Sequence, residues 1–151
     1  MPLSIGEIAP DFQLPSTSGA DFLFQSEAQG KPVVLYFYPK DFTDTCTAQA
    51  CEFNDNISWF NELGVLVVGI SKDDLPTHYR FKEKYKLTFE LLADEKGQVA
   101  KLYKATVPII GLTRRITYLI DANRKIIGVY EDMFEAKGHI KYAIEKLQKK
   151  V

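Results

Sequence analysis

The pattern of hydrophobic and polar positions changes from a strand period to a helix period between residues 33 and 60. Residues Val33 to Tyr38 are all apolar or aromatic, which predicts a strand covered on both faces. Pro39 ends this strand because proline has no N–H group to donate to a neighbouring strand. After a short polar loop, apolar side chains recur at three and four residues, at Cys46, Ala50, Phe53, Ile57 and Phe60. This spacing predicts an amphipathic helix whose first turn carries a cysteine.

The rest of the chain alternates between the same two periods. Apolar runs and alternating patterns predict further strands over residues 65–71, 89–92, 115–121 and 125–131, the last two as a hairpin. Helical spacing predicts helices over residues 77–85, 99–103 and 140–147. The glycine- and proline-rich residues 1–31 predict two short strands or a hairpin. This order predicts an α/β fold in a single domain, residues 1–151, with a central mixed sheet flanked by helices.

One loop is unusually apolar. Residues 105–113, ATVPIIGLT, contain Pro108 and Gly111 and cannot continue a regular element. The preferred interpretation is a packed connector. The alternative is that these side chains line a substrate entrance or contact a partner.

Composition narrows the class of protein. The hydrophobic fraction of 46% and charged fraction of 26% are ordinary for a globular chain, and the formal net charge of −1 gives no reason to expect nucleic acid or an anionic membrane as partner. No apolar run approaches the ~18 residues that a membrane-spanning helix needs. Residues 1–12 lack the basic start and apolar centre of a signal peptide. Two cysteines are too few for a disulfide-stapled secreted scaffold, so a reducing, cytoplasmic location is expected, with a targeting peptide that has been removed as the alternative.

Cys46 lies where a helix can activate a thiol. The first N–H groups of a helix have no partner within it and carry partial positive charge, so they favour the thiolate, which is the nucleophile. The alternative for Cys46 is a buried structural thiol.

Cys51, the second cysteine, cannot bond to Cys46 while the helix is intact. Helix geometry rotates the two residues by roughly 140° and places their Cα atoms roughly 8.7 Å apart. A disulfide needs Cα atoms within about 7 Å. The pair therefore predicts a switch that requires local unwinding, and its spacing does not support a zinc site.

The motif Pro39-x-x-x-Thr43-x-x-Cys46 resembles the PxxxTxxC active-site motif of peroxiredoxins. Its continuation, Cys46-Thr47-x-x-Ala50-Cys51, is similar to the bacterioferritin comigratory protein subfamily, also called PrxQ. The resemblance implies a thioredoxin-like fold with an N-terminal strand or hairpin extension. The chain departs from the subfamily at Asp44-Thr45, where Pro-Gly is frequent, and at Gln49, where many members have glutamate.

The resemblance also implies an activity and a set of roles. Cys46 would reduce hydrogen peroxide or a small alkyl hydroperoxide, and Cys51 would resolve the product as an intramolecular disulfide. Thr43 would hold the sulfur and the incoming oxygen, and Pro39 would shield the thiolate. No metal or organic cofactor is expected. Thioredoxin or a similar dithiol would recycle the enzyme, which would act as a monomer.

An arginine should stabilise the thiolate, because its side chain stays protonated and offers several directed donors. Arg114 and Arg115 are both candidates. Residues 115–121 match a family pattern, which is an arginine, any residue, Ser or Thr, an aromatic residue and then Leu-Ile-Asp. Arg115 is therefore predicted to stabilise the thiolate, and Arg114 is predicted to lie at the surface. His78 and His139 are predicted at surface or helix-end positions. The alternative functions are a thioredoxin-like disulfide oxidoreductase and a redox-sensing or chaperone-like protein with little turnover.

Overall fold

The computed structural model describes residues 1–150, with the side chains of residues 1–148. Its main sheet has five strands, in the spatial order β5-β4-β3-β6-β7. These are β3 Val33–Phe37, β4 Leu66–Ser71, β5 Glu90–Ala93, β6 Ile116–Ile120 and β7 Ile126–Glu131. A separate two-stranded sheet pairs β1 Gln13–Pro15 with β2 Asp21–Leu23. The helices are α1 Phe24–Glu27, α2 Asp44–Asp55, α3 Ile57–Glu62, α4 Leu75–Tyr85, α5 Gln98–Leu102 and α6 Lys137–Lys150.

β3 is the centre of the sheet. It runs parallel to β4 and antiparallel to β6, and all five of its residues are buried. Alternate side chains enter two different apolar clusters, because successive residues of a strand point to opposite faces. Leu35 and Phe37 belong to one cluster, whereas Val34 and Tyr36 belong to the other. The continuous apolar pattern of this segment is explained by burial on both faces.

The two clusters define two layers around the sheet. On one face, helices α2, α3, α4 and α6 supply apolar side chains that include Phe53, Phe81 and Ala143. On the other face lie the β1–β2 hairpin, α1 and α5. The predicted α/β architecture, with a mixed sheet between helices and an N-terminal hairpin, is confirmed. Within residues 1–150, every helix is too short or too polar to cross a membrane.

The predicted helix from Cys46 to Phe60 is interrupted at Asn56, so it forms two helices, α2 and α3. The Asn56 side-chain amide donates to the Glu52 carbonyl oxygen at 2.8 Å, and the Asn56 backbone N–H turns to the Phe53 carbonyl. An asparagine side chain thus replaces the backbone donor that would have continued the helix.

The apolar loop of residues 105–113 is not the packed connector that was predicted. Its ends, Ala105 and Thr113, are buried, but the side chain of Ile109 is fully exposed and that of Ile110 is 77% exposed. Leu112 lines a surface pocket next to Arg115. The prediction failed because the apolar composition of a loop does not determine whether its tip packs against the rest of the protein.

Candidate active site

A loop between β3 and α2 places Cys46 at the start of a helix. Thr43 is the N-terminal cap of α2, with an extended backbone, and Cys46 is the third residue of the helix. The Cys46 side chain is 1% exposed. Because the third N–H of a helix has no partner within it, the sulfur lies in the partial positive charge of the α2 N-terminus.

Arg115 reaches Cys46 from the neighbouring strand. The β3–β6 register pairs Phe37 with Ile116, so Arg115 lies just beyond the end of β3, where the chain turns toward α2. Its Nη2 donates to Cys46 Sγ at 3.2 Å, and its Nη1 donates to Gln49 Oε1 at 2.6 Å. Its Nε donates to the carbonyl of Met133 at 3.0 Å. The guanidinium is thereby held in one orientation against the sulfur.

A shallow pocket of about 290 Å³ opens beside this contact. Its lining includes Pro39, Thr43 and Arg115, three of the residues that the sequence pattern singled out. The exposed Thr43 hydroxyl donates to the carbonyl of Lys40 at 2.9 Å, which leaves its oxygen free to accept a hydrogen bond. The pocket is wide enough for a small molecule to approach Arg115.

Cys51 lies in the same intact helix as Cys46, and both thiols are free. Its side chain is partly exposed. Burial of the thiol, and then the negative charges of Asp55 and Glu52, raise the pKa of Cys51. Cys51 is therefore kept as a protonated thiol while α2 is folded.

Asp41 and His78 form a buried pair beneath the loop, which no local pattern in the sequence predicts. His78 Nδ1 lies 2.6 Å from Asp41 Oδ2, and His78 Nε2 donates to the carbonyl of Leu92 at 3.0 Å. Tyr38 Oη donates to the other Asp41 oxygen at 2.5 Å. Of the surface or helix-end positions predicted for His78, the surface position is wrong, because these partners satisfy its ring nitrogens in the core. The helix-end position is confirmed, since His78 lies in the first turn of α4.

Asp41, Asp73 and His78 are also close enough to hold a cation. However, the Asp41 oxygens already accept the bonds just described, and Asp73 Oδ2 accepts from the Asp41 backbone N–H at 2.8 Å and from Ser71 Oγ at 2.6 Å. The group therefore works as a tether that joins the loop to α4 and to the end of β4.

Phe42 adds a second contact between the loop and α4. Its φ of 67° lies in the left-handed region, which a bulky residue rarely adopts. Its ring packs edge-to-face on Phe81 at 5.1 Å between centroids and lies 6.4 Å from Tyr85. These aromatic contacts hold a strained backbone next to the first turn of α2.

His139 is buried as well, so a surface position is wrong for it too, whereas the predicted helix-end position is confirmed by its place in the first turn of α6. Its Nδ1 accepts from the Thr117 hydroxyl at 2.7 Å, and its Nε2 donates to the carbonyl of Asp132 at 2.9 Å. Burial, and to a lesser degree the charge of Arg115, lower the pKa of His139 to about 4. The neutral His139 thus holds the backbone at Asp132 in place, and the carbonyl of the next residue, Met133, accepts the hydrogen bond from Arg115.

Comparison with known proteins places this chain in a family. The AhpC/TSA family model matches residues 5–129. Peroxiredoxin Q, chloroplastic, of Oryza sativa subsp. japonica is 41% identical over 147 residues, covering 97% of this chain and 67% of that protein. A putative peroxiredoxin bcp of Coxiella burnetii is 38% identical over 153 residues, covering 97% of this chain and all of that protein.

Solved structures give the same result. Peroxidoxin BcpB from Mycobacterium tuberculosis superimposes with a TM-score of 0.90 at 32% identity, covering 96% of both chains. A cysteine-to-serine mutant of Xanthomonas campestris peroxiredoxin Q has a TM-score of 0.85 at 23% identity over 93% of this chain and 92% of that one, which supports the fold alone. The predicted thioredoxin-like fold is confirmed. The chain belongs to the AhpC/TSA family, and within it to the peroxiredoxin Q and bcp group of thiol-dependent peroxidases.

Proposed function

We propose that Cys46 is the cysteine that reduces the peroxide. The observation that carries the proposal is the 3.2 Å contact from Arg115 to Cys46 Sγ, next to an open pocket that Arg115 lines. The thiolate attacks the terminal oxygen of a hydroperoxide, and the O–O bond breaks. The sulfur loses two electrons and becomes a sulfenic acid, and the alkoxide or hydroxide that leaves takes up a proton. Arg115 and the α2 N-terminus stabilise the negative charge on sulfur before attack and the charge that develops on the oxygens.

Thr43 and Pro39 complete the site. Thr43 lines the pocket, and rotation of its hydroxyl away from the Lys40 carbonyl would let it donate to the sulfur or to the incoming oxygen. Pro39 covers one side of the pocket, where it limits the access of water to the thiolate.

Cys51 then resolves the sulfenic acid. Its sulfur attacks the Cys46 sulfur, an S–S bond forms, and the sulfenic oxygen leaves as water. Helix geometry keeps the Cα atoms roughly 8.7 Å apart in an intact helix, so α2 must unwind between the two residues. A dithiol reductant of the thioredoxin type returns both cysteines to thiols by thiol–disulfide exchange and is itself oxidised to a disulfide.

The proposal extends to assembly and location. All the groups of the cycle lie in one chain around one sheet, so we assign the cycle to a single domain, residues 1–151, that acts as a monomer. Both thiols are free, and the cycle requires them to be reduced again after each turnover. Because this requires a reducing compartment, we place the protein in the cytoplasm.

A coupled assay tests the assignment. Oxidation of NADPH through thioredoxin reductase and thioredoxin is followed with hydrogen peroxide or tert-butyl hydroperoxide as substrate. We expect turnover for the wild type and none for Cys46→Ser. Cys51→Ser is expected to show no sustained NADPH oxidation with thioredoxin as the only reductant, while a direct assay of remaining peroxide records about one equivalent consumed per chain. Turnover that survives in Cys46→Ser would refute the assignment of Cys46.

Two controls separate the alternative functions. A thioredoxin-like disulfide oxidoreductase would reduce insulin disulfides in the presence of dithiothreitol faster than the thiol alone does. A redox sensor or chaperone-like protein would oxidise once with peroxide but show the same slow rate with and without thioredoxin. We expect no insulin reduction and a rate that increases with thioredoxin concentration.

A further inference from the structure

The apolar loop of residues 105–113 is closed by backbone hydrogen bonds and carries apolar side chains on its outside. Its two ends pair as antiparallel strands do. Further along, the Val107 N–H donates to the Leu112 carbonyl at 2.8 Å. The tip presents Ile109, which is fully exposed, and Ile110, which is 77% exposed. The backbone therefore holds two isoleucine side chains in water and away from the core.

The backbone at Ile109 is strained. Its φ of 72° lies in the left-handed region, which a β-branched residue rarely adopts. The Ile110 N–H donates to the Pro108 carbonyl at 2.8 Å, which closes a γ-turn of the strained kind around Ile109. Glycine would fit this turn without strain, and the exposed Ile109 side chain has no packing that offsets the strain. Because stability alone does not favour isoleucine here, its side chain indicates a contact outside the chain.

The apolar loop borders the active-site pocket. Leu112 is 43% exposed and shares the lining of that pocket with Thr43, Asp44 and Thr45. These three residues form the start of the segment that carries Cys46 and must unwind for the proposed disulfide to form. A molecule that rests on the loop thus lies next to the sulfur atoms of that disulfide.

A basic border lies on the other side of the loop. Lys101, Lys104 and Arg114 line a surface pocket of about 460 Å³ there, and its described lining contains no acidic residue. Among the side chains of residues 1–148, neither lysine has a carboxylate oxygen within 4 Å, and Arg114 has only that of Glu131, at 3.8 Å. Since the whole chain has a formal net charge of −1, this border is a local excess of positive charge. It would attract a partner whose contact surface is acidic.

We infer that the apolar loop is the surface on which the protein dithiol reductant docks, through an apolar contact with an acidic border that Lys101, Lys104 and Arg114 bind. A small hydroperoxide does not explain the loop, since Ile109 and Ile110 are not part of the active-site pocket. A protein that brings a thiol to a disulfide must rest on the surface around it, and exposed apolar side chains with a charged border suit such a contact. The inference rests on the proposed function, because a reductant needs a docking surface only if the disulfide forms.

The test compares a protein reductant with a small one. Turnover of hydrogen peroxide by the double variant Ile109→Ser/Ile110→Ser is measured against thioredoxin concentration, and separately with dithiothreitol, which needs no docking surface. We expect the KM for thioredoxin to rise about tenfold or more, as for the loss of two apolar contacts at an interface, with kcat unchanged. The rate with dithiothreitol should equal that of the wild type.

Ile5→Ser/Ile8→Ser is the matched control, since it makes the same two substitutions at side chains that are 60% and 57% exposed. Ile8 pairs with Lys125, at the end of the sheet away from Cys46. The KM for thioredoxin should be unchanged in this control. An unchanged KM in the loop variant, an equal rise in the control, or an equal loss of rate with both reductants would each overturn the inference.

Lys104→Glu tests the basic border. We expect this variant to have a higher KM for thioredoxin than the wild type and a weaker dependence of that KM on salt concentration. A KM equal to that of the wild type at every salt concentration would overturn the role of the border.

Other occupants of the loop and a failure of the peroxidase step would give different results. If the KM for thioredoxin did not change, sedimentation of wild type but not of the loop variant with phosphatidylglycerol vesicles would assign the loop to a membrane. A wild-type dimer that the loop variant lacks in size-exclusion chromatography would assign it to a second copy of the chain. Absence of turnover with dithiothreitol as well as with thioredoxin would refute the proposed function itself, whereas normal turnover with dithiothreitol and an unchanged KM for thioredoxin would refute only the docking surface.

Discussion

Unwinding of α2 should set the rate at which the disulfide forms, and a single exposed residue allows this to be tested. Ala48 lies between Cys46 and Cys51, and its side chain is exposed. Ala48→Gly removes one methyl group from the surface of the helix and touches neither cysteine. The substitution therefore acts on the stability of the helical segment that must open.

The size of the effect follows from helix propensity. Glycine in a helix interior is about 0.8–1 kcal/mol less favourable than alanine. At 25 °C this difference raises the population of the unwound segment by about four- to fivefold, and the resolving step should accelerate by the same factor. Thr47→Ala acts in the opposite sense, since alanine is the better helix former by up to about 0.7 kcal/mol, and should slow the resolving step by about threefold or less.

Stopped-flow fluorescence separates the two steps. The chain has one tryptophan, Trp59, which lies in α3 directly after α2 and packs on Phe60 at 5.2 Å between ring centroids. Reaction with excess peroxide should give a first phase whose rate rises with peroxide concentration and a second phase that does not depend on it. The first phase should be the same in wild type and Ala48→Gly, because the contact between Arg115 and Cys46 belongs to the folded helix.

Glu83→Gly is the control for a general loss of stability. Glu83 is an exposed residue of α4, outside the segment between the cysteines. Both phases should be unchanged in this variant. If Ala48→Gly left the second phase unchanged or slowed it, disulfide formation would not depend on unwinding of α2.

Two further predictions concern stability. Since folding lowers the pKa of His139 from 6.5 to about 4, the unfolded chain binds more protons between these values. The contribution of neutral His139 to the free energy of unfolding is therefore complete above pH 6.5. As the pH falls toward 4, this contribution is lost, and the free energy of unfolding decreases by about 2–3 kcal/mol. Urea unfolding at pH 7 and pH 4.5 should show that the free energy of unfolding decreases less in His139→Gln than in wild type. An equal decrease in the two proteins would contradict the role of His139. Gly69→Ala on β4 would place a Cβ atom 2.8 Å from Cζ of the buried Tyr36. Thermal unfolding should therefore show a free energy of unfolding that is lower by about 1–3 kcal/mol. Tyr36→Phe removes a buried hydroxyl without a hydrogen-bond partner and should recover part of that loss, whereas a Gly69→Ala protein as stable as wild type would show that the sheet relaxes around the methyl group.

The elements that could be predicted from the sequence are those with a strong local period. The apolar run that starts at Val33, the proline that ends it and the helical spacing after Cys46 place the cysteine at a helix start without any tertiary information. The family pattern around Arg115 identified the arginine that lies against the sulfur. These features are encoded within a few residues of each other, and the structure has them where they were predicted.

The residues that were missed depend on contacts between distant segments. Gln49 binds Arg115 across 66 positions of the chain, and His78 meets Asp41 across 37. Nothing local marks a histidine as buried, because the ring is stable in the core only when partners from other elements satisfy both nitrogens. The one available signal was spacing, since Gln49 lies one helical turn after Cys46 on the same side of α2.

The most direct test of the peroxidase cycle is the intact mass of the protein before and after one equivalent of hydrogen peroxide. Wild type should lose about two mass units, as expected for a disulfide between Cys46 and Cys51. Cys51→Ser should gain about sixteen, for a sulfenic acid, or about thirty-two if a second equivalent is added. If neither protein changed mass, or if Cys51→Ser lost two units, Cys46 would not be a thiol that peroxide oxidises and Cys51 resolves, and the account would be contradicted.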